Sequence, residues 1–246
     1  MAMRKFAALS LLFVPLLASA DCTDHLQTWA KTLQPELKLD AEHAVCKINP
    51  ANASQVIAAL PFAENVDEDG QGDYGLAVIV ANSDNGKIIA HHYQAAAIVS
   101  DAISLDSLAI DTARYQLAPK LRAFGVRMSY QGSSRVNPFN STVMNLYLNE
   151  GPRLRPIVAG LVVSKGGGEW DGNCTGEFSQ TERTLSIADK SKNGLANLQV
   201  DEKTIDTAEH LKGDECESVD TKPAVKRYLL EYNGDEYGVP SELKGQ

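Results

Sequence analysis

Apolar residues along this chain fall mainly in short runs and alternations, broken at intervals by turn dipeptides. Residues 75–82, GLAVIVAN, are almost wholly apolar and predict a buried strand. Asn85-Gly86 follows as the strongest short hairpin signal in the chain, with residues 87–93 as the return strand. Further strands are predicted at 107–117, 121–130, 142–149, 154–164, 178–187, 196–205 and 226–232. The N-terminal end differs. Leu26, Trp29, Ala30 and Leu33 recur at helical spacing and predict a helix over 21–33, capped by Asp24 and ended by Pro35. Residues 42–48 and 54–60 are two short apolar elements around the turn at Asn49-Pro50. Residues 131–141 read as a long polar loop, Gly166-Gly167-Gly168 as a flexible joint, and 189–221 as a long acidic insert. Asn233-Gly234 marks a last turn that closes the domain.

This pattern predicts a mainly β fold: an antiparallel sandwich or propeller-like domain with a short N-terminal helix. Residues 21–60 form a helical cap and 61–246 the β domain. Residues 1–20 stand apart. Arg4 and Lys5 precede an apolar run over 6–17, and Ala18-Ser19-Ala20 is a small-x-small cleavage site, the layout of a secretory signal peptide. That run is short for a bilayer span, and no later run reaches the length a transmembrane helix needs. The expected compartment is periplasmic or extracellular.

An oxidising compartment changes how the four cysteines read, because an even count in an exported chain predicts disulfides. Three pairings are possible. Cys22–Cys46 with Cys174–Cys216 closes the smallest loops, and each bridge would add about 3–4 kcal/mol by chain entropy. Asp21, directly before Cys22, stands where a lipoprotein signal has a small residue, which favours a disulfide there over a lipid anchor.

The net charge is −9, and loss of Arg4 and Lys5 with the leader makes the remainder more acidic. Nucleic acid is thereby an unfavourable partner. A basic protein partner would be drawn in by long-range attraction, although an acidic surface also serves solubility alone.

Three segments carry candidate chemistry. In the loop DEDGQGD, oxygen side chains alternate at Asp67, Asp69, Gln71 and Asp73 between glycines, directly before the strand GLAVIVAN. That spacing can turn alternate oxygens toward one hard cation. The loop resembles the calcium loops of FG-GAP and VCBS-type β-repeat proteins, in which an aspartate–glycine loop precedes an apolar strand. The resemblance covers about a dozen residues and implies a Ca²⁺ site, with Gln71 standing where Asp or Asn is usual. The competing reading is a solvated acidic turn.

The segment GGGEWDGNC places Trp170 between Glu169 and Asp171. Two carboxylates could serve as a glycosidase acid/base pair, Trp170 could anchor a partner, or the tryptophan could simply pack near the Cys174 disulfide. The loop YQGSSRVNPFN presents Arg135 and Phe139 among small polar residues, a composition suited to recognition and equally to an ordinary surface loop. Elsewhere the signals are weak. His91 and His92 are adjacent and point to opposite faces of a strand. Asp111 and Arg114 are likewise expected on opposite faces. No GxSxG or HExxH motif is present.

Export, disulfides, acidity and the lack of a catalytic constellation together predict a binding protein. In general character the chain is similar to periplasmic lysozyme-inhibitor and immunity proteins, which implies a cell-wall hydrolase or toxin as partner. An exported hydrolase acting on peptidoglycan or polysaccharide through Glu169 and Asp171, or a structural envelope protein, are the alternatives.

Overall fold

The computed structural model describes residues 22–245, so the expected leader, residues 1–20, lies outside the described residues. A 3-10 turn, Cys22–His25, leads into helix α1, Leu26–Leu33. Leu26, Trp29 and Ala30 are buried, as their spacing on one face requires. The expected cap is not formed. His25 holds the N-cap position and its side chain makes no capping hydrogen bond, while Asp24 sits one place earlier, inside the 3-10 turn. The Gln34 N–H closes the helix on the Ala30 carbonyl, just before Pro35.

Everything after α1 is organised by strand pairing. Strands β1 (Lys38–Leu39) and β2 (Val45–Ile48) both pair with β3 (Gln55–Val66), and β4 (Gly72–Asn82) and β5 (Ile88–Ser100) extend this antiparallel layer. A second run follows: β6 (Ile103–Ala118), β7 (Leu121–Gly132), β8 (Phe139–Glu150) and β9 (Arg153–Trp170). Strand β10 (Gly176–Lys192) pairs with the far end of β9, and β11 (Leu195–Lys212) pairs with β10. Strands β12 (Glu215–Asp220) and β13 (Ala224–Leu230) then lie one after the other along β11. One parallel bridge, His91 to Arg153, joins the first run to β9, so all thirteen strands belong to one sheet.

The sheet curls back on itself into a half-barrel. Among the described residues the fold is mainly β with one short α-helix and two disulfides, and the curled sheet stacks its own layers instead of dividing into blades. Three apolar clusters fill the spaces between layers. One lies between β3–β5 and β6–β7, around Leu76, Val78, Ile98, Val126 and Tyr147. A second lies between β8–β9 and β11–β13, around Leu146, Ile157, Leu198 and Leu230, and is closed by Tyr232 and Tyr237 of the C-terminal turn. The third packs α1 onto the remaining face of β3 and β4 through Trp29, Phe62 and Ile79. Strand β4 is therefore buried on both faces, with even-numbered residues in one cluster and odd-numbered ones in another. That accounts for its unbroken apolar sequence. Trp29 also donates its indole N–H to the Gly86 carbonyl at 2.6 Å, pinning the β4–β5 turn to the helix.

The disulfides join the sequence-local pairs. Cys22–Cys46 ties the 3-10 turn to β2 with Cα atoms 6.1 Å apart, and Cys174–Cys216 ties the β9–β10 turn to β12 at 5.5 Å. Position 60/61, expected as the limit between cap and body, falls within β3, which is paired with β4 on both sides of it.

Three segments differ from expectation. Only residues 133–138 of the predicted 131–141 loop lie outside strands. The predicted acidic insert, 189–221, is the end of β10 and all of β11 and β12, paired apart from the turns and an irregularity between Ile187 and Ser191. The triple glycine is not a joint: Gly166, Gly167 and Gly168 lie within β9, all three paired to β10 and the first two also to β8. Glycine is needed because neighbours fold down onto the strand. A Cβ on Gly168 would lie 2.4 Å from the Glu177 carbonyl oxygen and 2.5 Å from the Phe178 ring.

Candidate functional site

A cleft of about 610 Å³ lies between the turn after β1 and the β3–β4 turn. Its rim carries five carboxylates, Asp40, Glu42, Asp67, Glu68 and Asp69, against Lys38 and His43. Leu39, Val66 and Leu105 supply apolar wall, and Tyr74 lines it from β4. Pairing of β1 with β3 brings Asp40 near a loop that follows it in sequence by more than two dozen residues. Asp40 organises its own turn: Oδ1 accepts the N–H groups of Glu42 and His43, and Oδ2 lies 2.6 Å from His43 Nδ1. The Tyr74 hydroxyl donates to the Gly70 carbonyl at 2.8 Å. Burial raises its pKa, and the negative charges of Asp40 and Asp67 raise it further. The cleft therefore holds a negative potential that favours a cationic guest.

Of the calcium-loop residues, Asp67 and Asp69 line this cleft. Asp67 Oδ1 accepts the N–H groups of Asp69 and Gln71, at 3.0 and 2.9 Å, and folds the loop upon itself. Asp73 lies in β4, opposite Asn65 and Val99. Among the described residues no group of three or more His, Cys, Asp or Glu side chains is placed to hold a metal ion.

The other candidates, chosen from two separate segments, meet at one end of the sheet. The backbone N–H of Trp170 donates to the Val136 carbonyl at 2.8 Å and that of Gly168 to the Pro138 carbonyl at 3.2 Å. This sets the loop of Arg135 beside Glu169 and Trp170. Phe139 stands opposite Gly167 in the β8–β9 pairing, with Lys165 Nζ 6.0 Å from its ring centre. Arg135, Val136 and Glu169 are exposed and Trp170 is half-buried. Asp171 is occupied structurally. Its Oδ1 accepts the N–H groups of Asn173, Cys174 and Thr175 at 2.8–3.0 Å, and the bonds from Thr175 and Asn173 lead in holding its pKa below the usual carboxylate value. A carboxylate held ionised in this way is a poor general acid.

The histidines divide as strand alternation requires. His91 is exposed, while His92 turns inward with its ring 5.8 Å from that of Tyr147. Burial lowers its pKa, and the nearby charges of Arg153 and His91 add to that. Asp111 does not pair with Arg114. A bulge in β6 follows it, and its Oδ2 receives Arg127 Nη2 at 2.7 Å and the Tyr115 hydroxyl at 2.9 Å, a structural cluster beneath β7.

Sequence reasoning missed Asp40, Glu42 and Tyr74 as members of the cleft. No spacing signal links them to the 67–73 loop, because only the β1–β3 and β3–β4 pairings bring them together. It also missed a second recess of about 430 Å³ beside Lys120, Arg122 and Phe124, where Asn149 Oδ1 is buried without a partner. The chain matches no known protein family, no curated protein and no solved structure.

Proposed function

We propose that this chain is a non-enzymatic binding protein that works outside the cytoplasm, in the periplasm of its cell, and takes a basic protein partner as an inhibitor or immunity protein against a cell-wall hydrolase or toxin. The observation that carries this reading is the acidic cleft. Five carboxylates around about 610 Å³ attract a lysine- or arginine-bearing segment, and the apolar wall beneath them can take the aliphatic stem of such a side chain. The two disulfides agree with an oxidising, extracytoplasmic compartment. The patch of Arg135 and Trp170 offers residue types that anchor interfaces. A hydrolase reading is disfavoured by Asp171, whose carboxylate is committed to three backbone N–H groups. The test is titration of the protein into a purified basic lysozyme at low and moderate salt, reading bound heat and residual cell-wall hydrolysis together. The reading expects binding that weakens as salt rises, with loss of hydrolysis. Absence of binding at low salt would overturn it.

A further inference from the structure

We propose that the chain forms a two-fold dimer, in which the edge made by β12 and β13 pairs antiparallel with the same edge of a second copy. This goes beyond the binding role and does not depend on it.

Both strands pair with β11 on one side, and among the described residues neither has a strand on the other. An open edge of this kind is a template for another chain. The two strands run in the same direction, so they make one nearly continuous edge from Glu215 to Leu230. Its halves differ in charge. β12 carries Glu215, Glu217 and Asp220, whereas Lys222, Lys226 and Arg227 lie in or just before β13. Large apolar side chains remain exposed on both halves: Val219 is 48% exposed, Val225 71% and Leu229 50%. Natural edges are usually protected by scattered charge. Here the signs are segregated, which repels a parallel copy and attracts an antiparallel one.

The register follows from which way the side chains point. Residues directly opposite one another in an antiparallel pair share a face. Val219 stands opposite Ala208, and Lys226 opposite Glu202. Ala208 and Glu202 are both even-numbered positions of β11, so Val219 and Lys226 lie on one face, with Glu217 and Tyr228. Ser218, Asp220, Val225 and Arg227 lie on the other. A two-fold axis normal to the sheet keeps each face on its own side, so odd-numbered residues of β12 must oppose even-numbered residues of the second copy's β13. The register that overlaps the strands fully sets Glu215–Asp220 against residues 225–230 of the copy. It then places Asp220 diagonal to Arg227 of the copy on one face, and Glu217 diagonal to Lys226 of the copy on the other. Diagonal neighbours are within reach of long side chains, and the two-fold axis repeats both contacts.

Sedimentation of the oxidised, leader-free chain over a range of concentrations tests this. The expected result is a reversible monomer–dimer equilibrium that shifts toward monomer in high salt. Asp220→Lys and Arg227→Asp should each weaken dimerisation by about tenfold or more, since each loses an attraction and gains a repulsion twice over. The double variant exchanges the charges and should recover the dimer. Both residues are exposed; Arg227 also pairs with Asp201, directly opposite it in β11, at 2.6 Å, so circular dichroism melts verify that each variant folds and keeps β13 docked. A monomer at every concentration would overturn the proposal. So would a dimer that both single variants leave intact, or one that the double variant does not restore.

Discussion

Gly168→Ala separates two accounts of the triple glycine by the sign of its effect. At a flexible joint, replacing glycine by alanine reduces the freedom of the unfolded chain and stabilises by about 0.4–1 kcal/mol. In the paired strand seen here, the new methyl would lie 2.4 Å from the Glu177 carbonyl oxygen, 2.5 Å from Phe178 Cδ1 and 2.9 Å from Phe178 Cα. Two of these are backbone atoms held in the β9–β10 pairing, where Gly168 stands opposite Phe178. They cannot move aside without disturbing that register. Overpacking of this kind costs about 1–3 kcal/mol. Gly167→Ala is the internal control. Its nearest contact would be the Pro138 carbonyl oxygen at 3.3 Å, with Phe139 at 3.8 Å, and a change within about 0.5 kcal/mol is expected, as for ordinary surface substitutions. Urea unfolding of the oxidised protein measures both. In a thermal melt each 1 kcal/mol corresponds to about 2–4 °C for a chain of this size. A Gly168→Ala protein as stable as the parent, or more stable, would refute the packing account of this strand.

Other consequences are equally direct. Replacing Cys174 and Cys216 with serine removes a bridge across 42 residues, which chain entropy values at about 4 kcal/mol. Protease should then cut first near β12, and cutting elsewhere would contradict the staple's role. Trp29→Phe should cost about 1–3 kcal/mol, because it removes the bond to Gly86 and leaves that carbonyl without its donor; an unchanged denaturation midpoint would show that the helix is not anchored there. Burial works against ionisation of Asp111, yet its bonds to the Ala113 N–H and Arg127 hold its pKa below the usual value. A depressed folded pKa stabilises above the unfolded value of about 3.9 and is lost as pH falls through the folded one. Asp111→Asn should therefore destabilise at neutral pH by about 1–3 kcal/mol, with the deficit shrinking under acid; a deficit independent of pH would contradict this. Calcium in millimolar excess tests the resemblance of the 67–73 loop to calcium loops: a melting temperature raised by several degrees would support a site there, and an unchanged one would leave Asp67 only its turn-forming bonds to the Asp69 and Gln71 N–H groups.

The elements that were legible in the sequence are those whose signal is local. GLAVIVAN announced a buried strand because both its faces are covered, and the spacing of Leu26, Trp29 and Ala30 announced the helix because one face is. Cysteine spacing pointed to the observed bridges because small loops close most easily. The curl of the sheet was not legible. It depends on where β10 leaves β9 after Glu182 and on Tyr232 and Tyr237 closing the cluster from the far end of the chain, and neither has a local signature. The glycine triplet misled for a related reason. Its meaning lies in Phe178 and Gln180, whose side chains lie where Cβ atoms on Gly168 and Gly166 would be, and composition alone cannot tell such a strand from a hinge. The acidic loop was legible as acidic, but its five-carboxylate setting required Asp40 and Glu42 from another turn.

The central claim is that the acidic cleft takes a basic partner. Calorimetric titration of a purified basic lysozyme with the parent protein and with a Glu42→Gln, Glu68→Gln, Asp69→Asn triple variant tests it most directly. The variant leaves Asp40 and Asp67, which shape the turns, in place. The account predicts salt-sensitive binding by the parent and a Kd raised at least about tenfold in the variant, about 1.4 kcal/mol, with the melting temperature unchanged. Equal affinity of the two proteins, or no binding by the parent at low salt, would contradict it.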